Sequence, residues 1–161
     1  MVIFSPRACI SSRRGRLTGL RVAGLLAGGQ SIVELKPVSP EDFFMRKAAT
    51  TRGLYWIKSS SALPDDPLTQ LAALAYLSDY FLTTTVVLKH TVSVMSADVM
   101  VASLDHVMWF HRPCRADEWI LVDAISPFAG GARGFTRAQM FNRERRLVAS
   151  IAQEGLVRPI G

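Results

Sequence analysis

The stretch LPDDPLTQLAALAYLSDYF, residues 63–81, predicts the one long helix around which the rest of this chain is organised. Asp66 is well placed as the N-cap, and Pro67 follows at the first helical position, where its missing N–H is not needed. One apolar face is predicted from residues that recur at helical spacing, namely Leu68, Leu71, Ala72, Ala75 and Leu82. A helix with so little polar surface has to be covered on most sides.

The sequence around this helix is typical of β-strands. Two strands are predicted before it, at 31–38 and 53–60, and the branched residues at 83–87 favour extended chain directly after it. After a linker at about 89–98, further strands are predicted at 99–111, 118–126, 133–142 and 146–158.

The connections between the last strands, such as SPFAGGA at 126–132 and NRERR at 142–146, are typical of loops and tight turns. They are too short for helical crossovers, so these strands should run antiparallel. The expected architecture is α+β, with an antiparallel sheet wrapped around one long central helix.

Length and composition fit one folded domain with a basic segment in front of it. The chain has 161 residues, of which 49% are hydrophobic and 20% charged, which is too apolar for a disordered chain. We expect residues 1–30 to be a disordered or poorly packed leader, or a transit peptide, and residues 31–161 to form the domain. The leader holds five arginines and no acidic residue, so it accounts for five of the net six positive charges. The domain itself is nearly neutral, and we do not expect a nucleic-acid partner.

Other features narrow the class of protein further. Cys9 and Cys114 have no CxxC spacing, so we expect neither a disulfide framework nor a metal site, and a reducing compartment fits. The longest apolar tract, 71–88, is interrupted by Ser78 and Asp79, so we expect no membrane span. We expect a cytoplasmic protein, with mitochondria as an alternative because of the leader.

The stretch SLDHVMWFHRP, residues 103–113, contains side chains that would suit a hydrolase, but they do not form a site by themselves. On a straight strand Ser103 and His111 lie roughly 26 Å apart, which excludes a local Ser–His–Asp triad. His106 and His111 point to opposite faces of such a strand, which excludes a shared metal ion.

Asp79 lies at the end of the predicted helix, on the stripe that starts at Leu68. A carboxylate on a core-facing stripe is costly unless it is hydrogen-bonded, and a helix C-terminus disfavours negative charge. Both effects would raise the pKa of Asp79 and make it a better base. The alternative is that the helix frays at this point and Asp79 simply reaches water.

Gln153 is a second polar residue in an apolar pattern, since it shares a strand face with Leu147, Ala149 and Ile151. A buried amide must find partners, because an unpaired polar group costs about 1–3 kcal/mol. Gln153 could hold a water or a carboxylate, or it could brace a loop. Asp79, Ser103 and Gln153 come from three different elements, and their spacing alone does not show that they meet.

Four long segments resemble consecutive segments of the acyl-CoA thioesterase II family, in its C-terminal hotdog domain. They are LPDDPLTQLAALAYLSDYF, ASLDHVMWFHRPCRADEWIL, SPFAGGARGF and QMFNRERRLVASIAQEGLVRP. The resemblance runs from about residue 31 to residue 159, and it implies a single hotdog fold.

The resemblance also implies a site and a reaction, the hydrolysis of fatty acyl-CoA to fatty acid and CoA. Asp79 would be the general base, while Ser103 and Gln153 would position a water that attacks the thioester carbonyl directly. No acyl-enzyme, metal or cofactor is implied, and His106 and His111 would be supporting structure.

Members of this family fuse two hotdog domains, and this sequence resembles only the second. The implied partner is therefore a second copy, giving a homodimer, or another hotdog domain. A truncated, non-catalytic hotdog that binds acyl-CoA or pairs with a full-length relative is the alternative. A third and lesser alternative is a hotdog dehydratase, an enzyme that pairs an acid with a catalytic His. The family occurs in bacteria and in organelles, so a peroxisomal location also stays open.

Overall fold

The computed structural model describes residues 31–39, 51–88 and 99–160. The predicted leader at 1–30 and the linker at 89–98 lie outside these residues. The described elements are β1 (Val33–Pro37), β2 (Arg52–Ser59), α1 (Pro67–Asp79), α2 (Thr84–Val87), β3 (Val99–Ser103), β4 (Val107–Phe110), β5 (Ile120–Gly130), β6 (Arg133–Phe141) and β7 (Leu147–Pro159).

The described strands form one antiparallel sheet in the order β1-β2-β5-β6-β7-β3, with β4 also paired to β7. The strand β7 is long enough to pair with β4 along Ala149–Ala152 and with β3 along Gly155–Pro159. The prediction of an antiparallel sheet is confirmed.

The core lies between one face of this sheet and the helical segment. Leu74, Leu77 and Leu82 are almost fully buried there, together with Tyr55 and Ile57 of β2. This packing confirms the predicted α+β arrangement, in which the helix supplies apolar surface that an open sheet face requires.

The amino end of α1 agrees with the sequence prediction. Asp66 is the N-cap, its carboxylate accepts a 2.8 Å hydrogen bond from the backbone N–H of Thr69, and Pro67 opens the helix. A hydrogen bond from the Thr69 hydroxyl and the one from its backbone N–H lower the pKa of Asp66, because both favour its ionised form. Within the described residues, no helix is long and apolar enough to cross a membrane.

The predicted buried face of α1 is wrong. Leu68 is 75% exposed, and the residues of α1 that are buried are Gln70, Leu74, Leu77 and Ser78. Residues 71–77 are all apolar, so their pattern does not determine which side of the helix faces the sheet. Leu82 is buried as predicted, but it lies in the turn after α1.

The prediction of extended chain at 83–87 is also wrong, because Thr84–Val87 form the short helix α2. Two glycines make room for this turn on the sheet. A Cβ atom on Gly134 would overlap Cγ1 of Val86, and one on Gly155 would lie 2.7 Å from Cγ2 of Thr83. Burial of Val86 and its neighbours therefore outweighs the local preference of branched residues for strand.

The predicted strand 99–111 is two strands, interrupted at 104–106. Across this break, the backbone N–H groups of Leu104 and Asp105 both reach the carbonyl of Glu154, at 2.9 and 3.4 Å. The Asp105 carboxylate accepts a 2.7 Å hydrogen bond from the N–H of Glu154. The break is thus an irregularity like a β-bulge, in which two residues, Leu104 and Asp105, both form hydrogen bonds with Glu154 of β7.

The loop predicted at 126–132 is mostly strand, because β5 continues to Gly130 with a register shift between Ile125 and Phe128. The shift accommodates Pro127, which has no N–H for the ladder. The reversal itself needs only Gly131 and Ala132, whose φ angles of 59° and 60° suit a two-residue hairpin turn.

We predict that Gly134→Ala lowers the free energy of unfolding by about 1–3 kcal/mol, because the new methyl group overlaps Val86. Urea unfolding of Gly134→Ala, Val86→Ala and the double variant measures the effect. The cost of Gly134→Ala should be smaller in the Val86→Ala background. An equal cost in both backgrounds would show that the two residues do not compete for this space.

Candidate active site

Three polar side chains from three elements meet at the carboxyl end of α1. The amide Nε2 of Gln153 in β7 lies 2.7 Å from Oδ1 of Asp79 and 2.6 Å from Oγ of Ser103. The hydroxyl of Ser103 lies 3.3 Å from the same Asp79 oxygen. The structure therefore brings together the three residues that the sequence analysis singled out, and we call them the Asp79–Ser103–Gln153 cluster.

The positions of these residues follow from how the chain is paired. Asp79 is the last residue of α1, and Ser103 is the last residue of β3, where it pairs with Gly155 two residues beyond Gln153. Side chains two residues apart on a strand share a face, so Ser103 and Gln153 come together beside the helix end.

Hydrogen-bond chemistry fixes the orientation of the Gln153 amide. An ionised carboxylate only accepts, so the NH₂ group of Gln153 must face Asp79. Its two N–H bonds then go to Asp79 and Ser103, and the Ser103 hydroxyl donates to Asp79. Within the described part of the chain, these bonds reach Oδ1 of Asp79, which leaves Oδ2 to accept from a water.

One side of the cluster is buried in the core, and the other side is exposed to solvent. Gln153 is only 1% exposed, as the apolar pattern of β7 predicted, whereas the Asp79 side chain is 51% exposed and Ser103 is also exposed. The argument that Asp79 lies on a core-facing stripe is therefore wrong, because that stripe faces outward. Asp79 reaches the surface and is nevertheless held by two hydrogen bonds.

Tyr55, a fully buried residue of β2, is affected by the charge of Asp79. Burial raises the pKa of the Tyr55 hydroxyl, and the negative charge of Asp79 raises that pKa further. Tyr55 therefore stays neutral at physiological pH.

His106 belongs to the same network, although sequence reasoning placed it on the opposite face from Ser103. Its Nδ1 lies 3.1 Å from Oε1 of Gln153, and its Nε2 lies 2.7 Å from Oγ of the buried Ser78. The strand break at 104–106 is the reason, because a continuous strand would point Ser103 and His106 to opposite sides. His111 instead contacts Ser150, 2.8 Å away on the neighbouring strand.

Comparison with known proteins identifies the family of this chain. The family model described as acyl-CoA thioesterase matches residues 26–156. This chain belongs to the acyl-CoA thioesterase family. The resemblance given by the sequence segments is therefore confirmed over most of the chain.

Individual relatives of this acyl-CoA thioesterase family member are similar over most of its length. Acyl-coenzyme A thioesterase 8 of Mus musculus is 36% identical over 127 residues, which are 78% of this chain and 39% of the mouse protein. Acyl-CoA thioesterase 2 of Haemophilus influenzae is 36% identical over 103 residues, which are 64% of this chain and 36% of the bacterial protein. The chain thus spans about two-fifths of the length of these curated relatives.

A solved structure supports the fold. The crystal structure of the acyl-CoA thioesterase II TesB2 from Mycobacterium marinum superposes with a TM-score of 0.68 and 38% identity, over 80% of this chain and 49% of that one. The hotdog fold implied by the resemblance, an antiparallel sheet curled around one central helical segment, is confirmed.

We predict that Gln153→Glu destabilises the domain increasingly as the pH rises. Two carboxyl groups would then share a site only 2.7 Å apart, which raises the pKa of one of them in the folded state. A group whose folded pKa is raised binds its proton more tightly when folded, so stability falls as pH increases. Each pKa unit corresponds to about 1.4 kcal/mol.

Urea unfolding at pH 5 and pH 8 measures this effect, with the exposed Gln139→Glu as the control for added charge on the sheet. The difference between the two pH values should exceed that of the control by about 2 kcal/mol or more. Identical pH dependence in both variants would contradict the buried contact between positions 79 and 153.

Proposed function

We propose that this domain hydrolyses acyl-CoA thioesters to a carboxylic acid and CoA. Family membership suggests the reaction class, and the observation that carries the proposal is the Asp79–Ser103–Gln153 cluster. A carboxylate base, a hydroxyl and an amide within hydrogen-bonding distance are the groups needed to hold and activate one water.

In the proposed reaction, Asp79 acts as the general base through its free oxygen, Oδ2. This oxygen removes a proton from a bound water as the water oxygen attacks the thioester carbonyl carbon. The resulting tetrahedral intermediate collapses, the C–S bond breaks, and the proton on Asp79 passes to the leaving thiolate. The acyl group leaves as the acid, and no covalent enzyme intermediate forms.

Gln153 and Ser103 have different roles in this proposal. Both N–H bonds of Gln153 are used inside the cluster, so it holds Asp79 and Ser103 in place. Ser103 is exposed and can exchange its weak 3.3 Å hydrogen bond to Asp79 for one to the water or to the developing oxyanion. This arrangement positions the Ser103 hydroxyl as a donor before the reaction starts.

We predict that Asp79→Asn lowers kcat for acyl-CoA hydrolysis by at least about 100-fold, because the base is lost while the shape is kept. Release of CoA from acetyl-, decanoyl- and palmitoyl-CoA, followed with a thiol reagent, measures the rate. Asp65→Asn, a 96% exposed carboxylate before the amino end of α1, is the matched control. Equal activity of Asp79→Asn and wild type would rule out the assigned base.

A second hotdog domain, most simply on a second copy of this chain, is the proposed partner. The strands β3 and β4 lie at the edge of the described sheet and expose apolar side chains, which are Met100, Val107, Trp109 and Phe110. The exposed face of α1 adds Leu68 and Tyr76. Open strand edges with large apolar residues are sites of pairing, and this surface adjoins the open side of the cluster at Ser103. Pairing here would enclose the open side of the cluster, where the acyl-CoA substrate would bind.

We predict that Trp109→Glu weakens this pairing by at least about tenfold, because it places a charge at the centre of the apolar edge. Light scattering after size exclusion measures the molecular mass across protein concentrations, and wild type should be a dimer. Ile32→Glu, at a 62% exposed position beside the other edge strand, is the control and should stay dimeric. A fully active wild-type monomer would refute the pairing.

The proposed location is a reducing compartment. Cys114, the one cysteine among the described residues, is a free thiol, and burial raises its pKa to about 11, which keeps it unreactive. This fits the cytoplasm first, with the peroxisome or mitochondrion as alternatives. Cell fractionation with immunodetection of the chain separates these locations.

A further inference from the structure

We infer that His106 is a positioning residue for the hydrolysis, which fixes the Gln153 amide so that its NH₂ group faces Asp79 and Ser103. The inference rests on the proposed function and extends it to a residue outside the Asp79–Ser103–Gln153 cluster. This role goes beyond the supporting structure that the family resemblance implies for His106.

The buried side-chain amide of Gln153 needs a hydrogen-bond partner for its carbonyl oxygen as well as for its NH₂ group. Its side chain is 1% exposed, so bulk water does not serve its carbonyl oxygen. The NH₂ group is committed to Asp79 and Ser103, and Oε1 therefore needs a donor from the protein. His106 Nδ1, 3.1 Å away, is in position to supply one.

The opposite orientation of the Gln153 amide would be unfavourable both toward Asp79 and toward His106. A flipped Gln153 would place its carbonyl oxygen about where Nε2 now lies, 2.7 Å from the Asp79 carboxylate. It would also turn its NH₂ group toward the N–H of His106. Acceptor would face acceptor and donor would face donor, so the imidazole and the carboxylate together permit one orientation.

The other ring nitrogen of His106, Nε2, contacts α1. Nε2 of His106 lies 2.7 Å from Oγ of Ser78, a buried residue on α1 whose hydroxyl is also 2.7 Å from the carbonyl of Ala75. The single hydroxyl proton goes either to Nε2 of a neutral ring or to Ala75, in which case Nε2–H donates to Ser78. The first arrangement leaves the proton of the neutral ring on Nδ1, where it can be donated to Oε1 of Gln153, and the Asp79 oxygen lies 3.8 Å from the same nitrogen.

The hydrogen-bonded chain Ser78–His106–Gln153–Asp79 thus begins and ends at two adjacent residues in the last turn of α1. Ser78 anchors the ring, the ring orients the amide, and the amide holds the base. A misplaced amide leaves substrate binding intact but loosens the base and the hydroxyl that contact the water. The role of His106 should therefore appear in kcat rather than in KM.

Two conservative substitutions separate positioning from packing. In His106→Asn the side-chain amide nitrogen occupies about the place of Nδ1 and can still donate to Gln153. In His106→Gln the amide occupies about the place of Nε2 and reaches toward Ser78 instead. The two variants have similar polarity, and thermal unfolding followed by circular dichroism checks that both fold.

We expect His106→Ala and His106→Gln to lower kcat for decanoyl-CoA hydrolysis by about 10- to 100-fold, with KM within about twofold of wild type. His106→Asn should recover most of kcat. Gln153→Ala serves as the reference for loss of the amide itself. If the wild-type chain releases no CoA, the proposed function fails, and if Gln153→Ala retains wild-type activity, the cluster is not the catalytic site. If Gln153→Ala is impaired while His106→Ala has wild-type kcat, or if the Asn and Gln variants are equal, only the role of His106 is overturned.

A measurement that does not depend on activity tests the same inference. The ¹⁵N chemical shifts of the His106 ring report which nitrogens carry protons. A protonated Nδ1 is expected in the wild-type chain. A neutral ring protonated at Nε2 alone would overturn the inference, because Nδ1 could not then donate to Gln153.

Discussion

The buried side-chain amide of Gln153 needs hydrogen-bond partners, and this requirement determines how the chain is arranged around the Asp79–Ser103–Gln153 cluster. Gln153 lies on the core-facing side of β7, where water does not reach it, so each of its donors and its acceptor must be matched by another side chain. Asp79 and Ser103 accept from its NH₂ group, and His106 faces its carbonyl. Because these partners come from α1, β3 and the break before β4, satisfying Gln153 holds three parts of the chain in one relative position.

The glycines of β6 and β7 make this meeting possible. Gly134 and Gly155 leave space for Val86 and Thr83, so the chain after α1 can turn and pack closely on the sheet. This close approach keeps the end of α1, and hence Asp79, within reach of Gln153. Thr83 itself lies 3.5 Å from Nε2 of Gln153, at the limit of a hydrogen bond. The packing of α2 and the geometry of the cluster are therefore parts of one arrangement.

The contrast in burial across the cluster has a chemical consequence. The amide and Ser78 are buried, whereas the Asp79 carboxylate and Ser103 face an open surface. In the proposed reaction, the buried side would position the groups and the open side would admit water and substrate. The apolar edge of β3 and β4 borders the same open side, so the surface that a second hotdog domain would cover is continuous with the site.

A polar residue within an apolar pattern can be recognised in the sequence, because burying a polar side chain is costly unless it is hydrogen-bonded. Gln153 was found in this way, and its burial is confirmed. Asp79 was found by an argument that proved wrong, since its stripe faces outward. The resemblance to a family identified the same residues, along with the fold. His106 was missed, because the alternation rule assumes a continuous strand and the strand is broken at 104–106.

The sequence by itself determined the local elements with clear signals. The N-cap at Asp66, the strands of the sheet and their antiparallel direction all follow from capping chemistry, alternation and short connections. The buried face of α1, the helical turn at Thr84–Val87 and the contacts of His106 were decided only in the tertiary structure. Each depends on which surfaces meet across the core. A uniformly apolar helix or a short branched segment carries no local signal about that.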